Sequence, residues 1–205
     1  MQNSFIIALA DPGQLVPGGG AAAAYAGTVG LALFQKIIGI ELRRPQGAGE
    51  HFSWADLLFQ VSALNESLYR LRDADGKSYM RLAQAIASGK SREQVASALK
   101  KAVDCPVQIM EKVYEALGHI PQTAGNCKGH LLSDLLVVCE LLGSAGRGAY
   151  HIIRANLQRM ADPVSKADYQ RRVDRLYDLS CEALKLAQVS ILQSAGLSGG
   201  GKYPG

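Results

Sequence analysis

Asp75 stands where an apolar side chain is expected. A stripe of Trp54, Leu57, Leu58, Val61, Leu64, Leu68 and Leu71 resumes at Tyr79, Leu82 and Ile86, in steps of three or four residues apart from the adjacent Leu57 and Leu58. The gap between Leu71 and Tyr79 is filled by that aspartate. Periodicity therefore puts a carboxylate on the buried face of a long helix, one turn before a tyrosine on the same face. Such a group must find partners or take up a proton, because an unpaired charge is costly away from water. Burial moves a carboxyl pKa toward neutrality, which suits general acid–base work. Gly76 follows directly, so capping at a helix break is the other reading.

Asn156 repeats the anomaly at the centre of a face made by Ala149, Ile152, Ile153 and Met160. A buried amide needs hydrogen-bond partners, either across to a neighbouring helix or on a ligand. Ser133 and Asp134 precede LLVVCELL and read first as helix N-caps. The functional alternative sets Asp134 beside Gly125 and Asn126 at the mouth of a cleft. Asp73 lies off the stripe with Lys77 one turn on, which predicts a surface ion pair. VPGGGAAAAYAG lacks a GK[ST] ending and a preceding strand, so it is no phosphate loop. Gly18, Gly19 and Gly20 can still expose backbone N–H donors to an anion at a helix start. They can equally let a ring or another helix come close.

Other chemistries find little support. His51, His119, His130 and His151 are isolated, and Glu115–His119 is a single pair with no HExxH, so no metal site is expected. No GxSxG elbow occurs. Cys105, Cys127, Cys139 and Cys181 form no CxxC and read as reduced, buried thiols of a cytoplasmic protein. The +4 net charge is scattered, with no long basic run, so nucleic acid is not indicated. No stretch of eighteen apolar residues or basic-led signal segment is present, so neither membrane nor export is expected.

The elements that position these residues are helical. The 205 residues include 28 Ala and 26 Leu against 23 Val plus Ile and 2 Thr, a balance that favours helix over strand. Punctuation predicts a short helix ended by Asp11–Pro12–Gly13 and an Ala-rich helix from Gly18–Gly20 to about Leu42. A loop over Arg43–Ser53 leads into a long helix from Trp54 to about Ala87. A helix from Ser91 to Leu117, a loop over Pro121–His130, and helices from Ser133 to about Met160 and from Lys166 to Ala195 follow. Pro106 should kink or split its helix. Gly143, Gly146 and Gly148 weaken theirs or admit a close neighbour. The expectation is an all-α, single-domain bundle of five or six helices with long antiparallel members, spanning 1–195. A flexible Gly-rich tail over 196–205 completes the chain.

The ordered set PGGGAAAAYAGTVGLAL (Pro17–Leu33), LRDADGKSY (Leu71–Tyr79), Gly125–Asn126, Ser133–Asp134–Leu135 and GAYHIIRANL (Gly148–Leu157) resembles the cyclodeaminase/cyclohydrolase family. That group comprises the cyclodeaminase domain of formiminotransferase-cyclodeaminase and stand-alone methenyltetrahydrofolate cyclohydrolases. The likeness runs from about Ser4 to Gln193. It implies a homodimer binding a tetrahydrofolate substrate near the dimer interface, with no metal and no redox cofactor. It implies Asp75 as the catalytic acid/base, and Gly18, Gly19, Gly20, Tyr79, Asn126, Ser133, Asp134 and Asn156 as substrate-binding residues. The implied reactions are ammonia release from 5-formiminotetrahydrofolate and hydrolysis of the 5,10-methenyl bridge. This chain departs from the pattern in a short Ala87–Arg92 connection, a longer Asn126–Ser133 spacing, and His151 where the family commonly has Asn. The alternative is a non-catalytic helical module of the same family that binds folate or a protein partner.

Overall fold

The structure, a computed structural model, describes residues 4–45 and 52–197. His51 and most of the Gly-rich tail lie outside that set. Among the described residues the order is α1 (Ser4–Ala10), α2 (Gly19–Leu42), α3 (Trp54–Ala87), α4 (Arg92–Gly118), α5 (Ile120–Asn126), a single 3-10 turn (Gly129–Leu131), α6 (Leu132–Leu157) and α7 (Pro163–Ser194). Five long helices make the bundle, as the periodicity predicts.

Side-chain pairings set their directions. Gly20 faces Asp75 and Gly27 faces Leu68, so α2 and α3 are antiparallel. Gly148 packs on Ala23 and Gly30 on Leu141, so α6 also runs against α2. Asn156 meets Ala102 and Gly146 meets Val113, which makes α4 antiparallel to α6. Tyr150 bonds Asp174 while Gln188 bonds Glu140, so α7 again opposes α6. The core they enclose includes Leu31, Phe34, Ile37, Leu68, Ile109, Met110, Leu135 and Leu142, all fully buried.

Helix ends follow local chemistry. Ser53 accepts from Asp56 N at 3.3 Å, and Ser91 forms a reciprocal capping box with Gln94. Asp162 caps α7 through Val164 N and Ser165 N. Gly89 and Gly196, at φ 59° and 72°, close α3 and α7 in Schellman motifs.

Several expectations need correction. The segment Pro121–His130 is not loop: Pro121 takes the first turn of α5, where its missing N–H costs nothing, and a 3-10 turn follows. That turn places Leu131 at the N-cap of α6, so neither Ser133 nor Asp134 caps it. The same helix stops at Leu157, and α7 starts at Pro163 rather than Lys166. Asp73 pairs with Arg72 at 2.9 Å, not with Lys77. Only Cys105 and Cys139 are buried; Cys127 and Cys181 are half-buried. By length and composition, Gly19–Leu42 and Gly129–Leu157 are apolar enough to cross a bilayer, at mean hydropathy 1.4 and 1.2. Half of each apolar window is instead buried inside the bundle. A few scattered polar residues hide that average from a search for unbroken apolar runs.

The α6 glycines serve close approach. A Cβ at Gly143 would lie 2.7 Å from Leu184, and one at Gly27 of α2 would lie 2.7 Å from the fully buried Leu68. Gly27→Ala should therefore destabilise the fold by about 1–3 kcal/mol through overpacking. Gly39→Ala, with nothing within 4 Å, should stabilise it by about 0.5–1 kcal/mol through helix propensity. Urea unfolding midpoints should move in opposite directions.

Candidate active site

The glycines that open α2 leave its N-terminus without a side-chain cap of its own. Asp75 supplies one from α3, its carboxylate accepting the backbone N–H of Ala21. The approach is very close. A Cβ at Gly20 would fall 2.3 Å from Asp75 Oδ1 and 2.5 Å from Oδ2, so only glycine leaves room. Asp75 is 9% exposed. Burial raises its carboxyl pKa above the ordinary value, and the Ala21 N–H pulls it part of the way back. The structure thus gives Asp75 a capping role, though on α2 rather than on its own helix, which runs unbroken through Gly76, and Asp75 is the one carboxyl lining the cleft.

Around this carboxylate lies a cleft of about 290 Å³, walled by Gly18–Gly20, Tyr79, Ile152 and Asn156. Tyr79 is 41% exposed at its edge, one turn beyond Asp75. Cys105 stands on the protein side, its thiol donating to Leu71 O at 3.6 Å. Burial, and then the charge of Asp75, push that thiol up to about 12, so it stays neutral.

Asn156 is held by a consequence of Pro106. Within α4, which continues through the proline, the carbonyl of Ala102 would ordinarily receive the N–H of residue 106. Proline has none. Asn156 Nδ2 donates to that carbonyl instead, at 2.9 Å. The amide is thereby anchored with one of its two N–H donors on α4, and the side chain lines the cleft. Pro106 and Asn156 each stand out in the sequence, and the four-residue offset from Pro106 to Ala102 is the signal that connects them.

The remaining expected site residues lie elsewhere. Asn126 is exposed at the end of α5, its amide donating to Gln122 O at 2.8 Å. Ser133 and half-buried Asp134 occupy the first turn of α6. At 1.5 Å per residue, Asp134 and Asn156 are about 33 Å apart along one helix. Within this chain these three residues do not share the Asp75 cleft. Glu41, which the sequence did not single out, is 1% exposed. It pairs with Arg44 at 2.8 Å and accepts Lys128 N at 2.7 Å, tying α2 to the turn before α6.

The family model described as Formiminotransferase-cyclodeaminase matches residues 2–175. The chain belongs to that family. Formimidoyltransferase-cyclodeaminases of Mus musculus and Gallus gallus are 29% and 26% identical to it, over 78% and 79% of this chain. The chain spans 31% of the length of each of those relatives. A solved structure of formiminotetrahydrofolate cyclodeaminase from Thermotoga maritima superposes with a TM-score of 0.82, at 16% identity and covering 96% of both chains. The helical bundle is thus the fold of this cyclodeaminase family, and Asp75 with its glycine-opened helix sits inside the matched region.

Replacing Pro106 tests the Asn156 linkage. Pro106→Ala restores a helix donor worth about 3 kcal/mol and removes two buried methylenes worth about 0.8 kcal/mol each. The variant should be more stable, while the Asn156 side-chain amide loses exclusive hold of Ala102 O. Thermal unfolding and the side-chain NH₂ resonances of Asn156 report the two effects.

Proposed function

We propose that this chain is a tetrahydrofolate one-carbon enzyme, acting as a formiminotetrahydrofolate cyclodeaminase, a methenyltetrahydrofolate cyclohydrolase, or both, with Asp75 as general acid/base. One observation carries the reading: a buried carboxyl with a raised pKa facing a ligand-sized cleft. In deamination N10 of the folate attacks the formimino carbon, a new C–N bond closes the ring, and protonated Asp75 delivers its proton as ammonia leaves. In hydrolysis the Asp75 carboxylate takes a proton from water as the oxygen adds to the methenyl carbon. Ring opening then releases N5, giving the 10-formyl product. The same negative charge steadies the cationic methenyl carbon. The Asn156 oxygen accepts from a ring N–H, and Gly18–Gly20 let a flat pteridine reach the backbone.

A homodimer completes this reading. Val29 and Ile40 on α2 and Val137 on α6 are 43%, 39% and 48% exposed, an apolar face suited to a second copy. We infer that in such a dimer Asn126, Ser133 and Asp134, distant from Asn156 in their own chain, serve the other copy's cleft.

Absorbance of the methenyl chromophore tests the reaction: 5-formiminotetrahydrofolate should raise it, or 5,10-methenyltetrahydrofolate should lose it faster than in buffer. Asp75→Asn should cut the rate by about 10²–10⁴, and an unchanged rate would end the assignment. The sign of its stability effect also follows. A carboxyl with a raised folded pKa favours the protonated native state, so wild type loses stability as pH rises through that pKa. Asp75→Asn should unfold at an equal or higher temperature at pH 7, with the gap closing in acid. For the dimer, inactive Asp75→Asn and Asp134→Ala chains, once mixed, should recover part of wild-type turnover; no recovery would place Asp134 outside the site.

A further inference from the structure

The segment 11–18, which joins α1 to α2, is a thin wall with a hollow on each side. One side is the Asp75 cleft, lined by Leu15 and Val16. The other is a separate hollow of about 380 Å³ against α3, walled by Phe5, Val16, Pro17, Arg72 and Met80. Val16 lines both. It lies over Gly76, where an added Cβ would come 3.5 Å from Val16 Cβ, so the wall meets α3 one residue past Asp75.

Leu15 is 61% exposed although it lines a cleft. A lone exposed leucine is ordinary on a protein surface. This one stands at the same cleft as exposed Tyr79 and the buried Asp75 carboxyl, where a ligand with an apolar face would cover it. The wall does little to hold itself in place. Asp11 shapes its start, Oδ1 accepting Gly13 N and Oδ2 accepting Gln14 Nε2, each at 2.9 Å. Among the described residues, 15–17 make no hydrogen bond. α1 has no buried residue either. What seats it is Phe5, whose ring lies 4.6 Å from the Tyr25 ring of α2 and 5.1 Å from the Arg72 guanidinium of α3. Arg72 is fixed in turn by the Tyr69 ring, at 4.1 Å, and by Asp73.

We propose that Leu15 is a further ligand-contacting residue of the Asp75 cleft and that Phe5 is its positioning residue. The ligand's identity rests on the folate reading above. A flat ring bound beside Asp75 receives the Leu15 side chain on its face, and both lose exposed apolar surface. Phe5 acts through α1. While its ring is seated, the wall stays over Gly76 and Leu15 is held at the cleft. Unseated, the wall has the hollow behind it to move into, and binding then carries the cost of ordering it again. Neither side chain has a group that can move a proton, so both act on affinity and leave bond making to Asp75.

The test combines kinetics with a binding readout on the full chain. Leu15→Ala should raise KM for 5,10-methenyltetrahydrofolate about fivefold, the loss expected for a partly covered leucine, with kcat within about twofold. Phe5→Ala should raise KM by a similar factor, and Phe5→Tyr, which keeps the ring, should stay near wild type. In Phe5→Ala/Leu15→Ala the two factors should not multiply, because Phe5 has no Leu15 left to position; fully multiplied effects overturn the positioning role. In the binding arm, isotope-labelled leucine methyl resonances are followed as 5-formyltetrahydrofolate is added, those of Leu15 being the signals missing from Leu15→Ala. They should shift through the ring current of the bound folate, and Phe5→Ala should move them even without ligand. Turnover by a chain whose Leu15 signals stay fixed under saturating folate overturns the proposal and leaves the enzyme reading standing. A Leu15 shift in a chain that turns over neither folate would sink the enzyme reading and keep the contact. Neither binding nor turnover would overturn both.

Discussion

The candidate site depends on one contact: the carboxylate of Asp75 set against the first turn of α2. A helix whose opening residues are glycines has free N–H groups and no local side chain to satisfy them. Asp75 answers that need from across the interface, and it can do so only because Gly20 has no Cβ. The contact fixes the α2–α3 register near the end that carries the cleft. It also sets the state of the carboxyl. Desolvation favours the acid, while a backbone donor and the positive end of α2 favour the anion. Both influences act on the one carboxyl that lines the cleft, and burial is the larger of the two.

Asn156 shows the same economy. An isolated amide on an apolar face would turn freely or waste its polar groups. Pro106 removes one N–H from α4 and so creates a single unpaired carbonyl, at Ala102, within reach of the Asn156 amide. A proline that would be expected to break a helix instead supplies an anchor. Two irregularities in adjoining helices, each unfavourable alone, satisfy each other and define the cleft wall opposite Gly18–Gly20. Near Gly27, Gly30 and Gly146 the same bundle is packed at ordinary or tighter contact, with no comparable polar opening.

Much of this was legible in the chain. Five long helices follow from the spacing of apolar residues, and Asp75 and Asn156 stand out because they break that spacing. The stripe also says which groups are buried, since a residue's place on a helix face is a local property. It does not say what the group meets. The partner of Asp75 is fifty-four positions away, at Ala21, and no periodicity carries that pairing. Ser133 and Asp134 illustrate the opposite failure. Their residue types suit a cap, yet the 3-10 turn at Gly129–Leu131 has already begun the helix. Family likeness put Asn126, Ser133 and Asp134 in one list with Asp75, but sequence order is silent about a separation of about 33 Å along one helix.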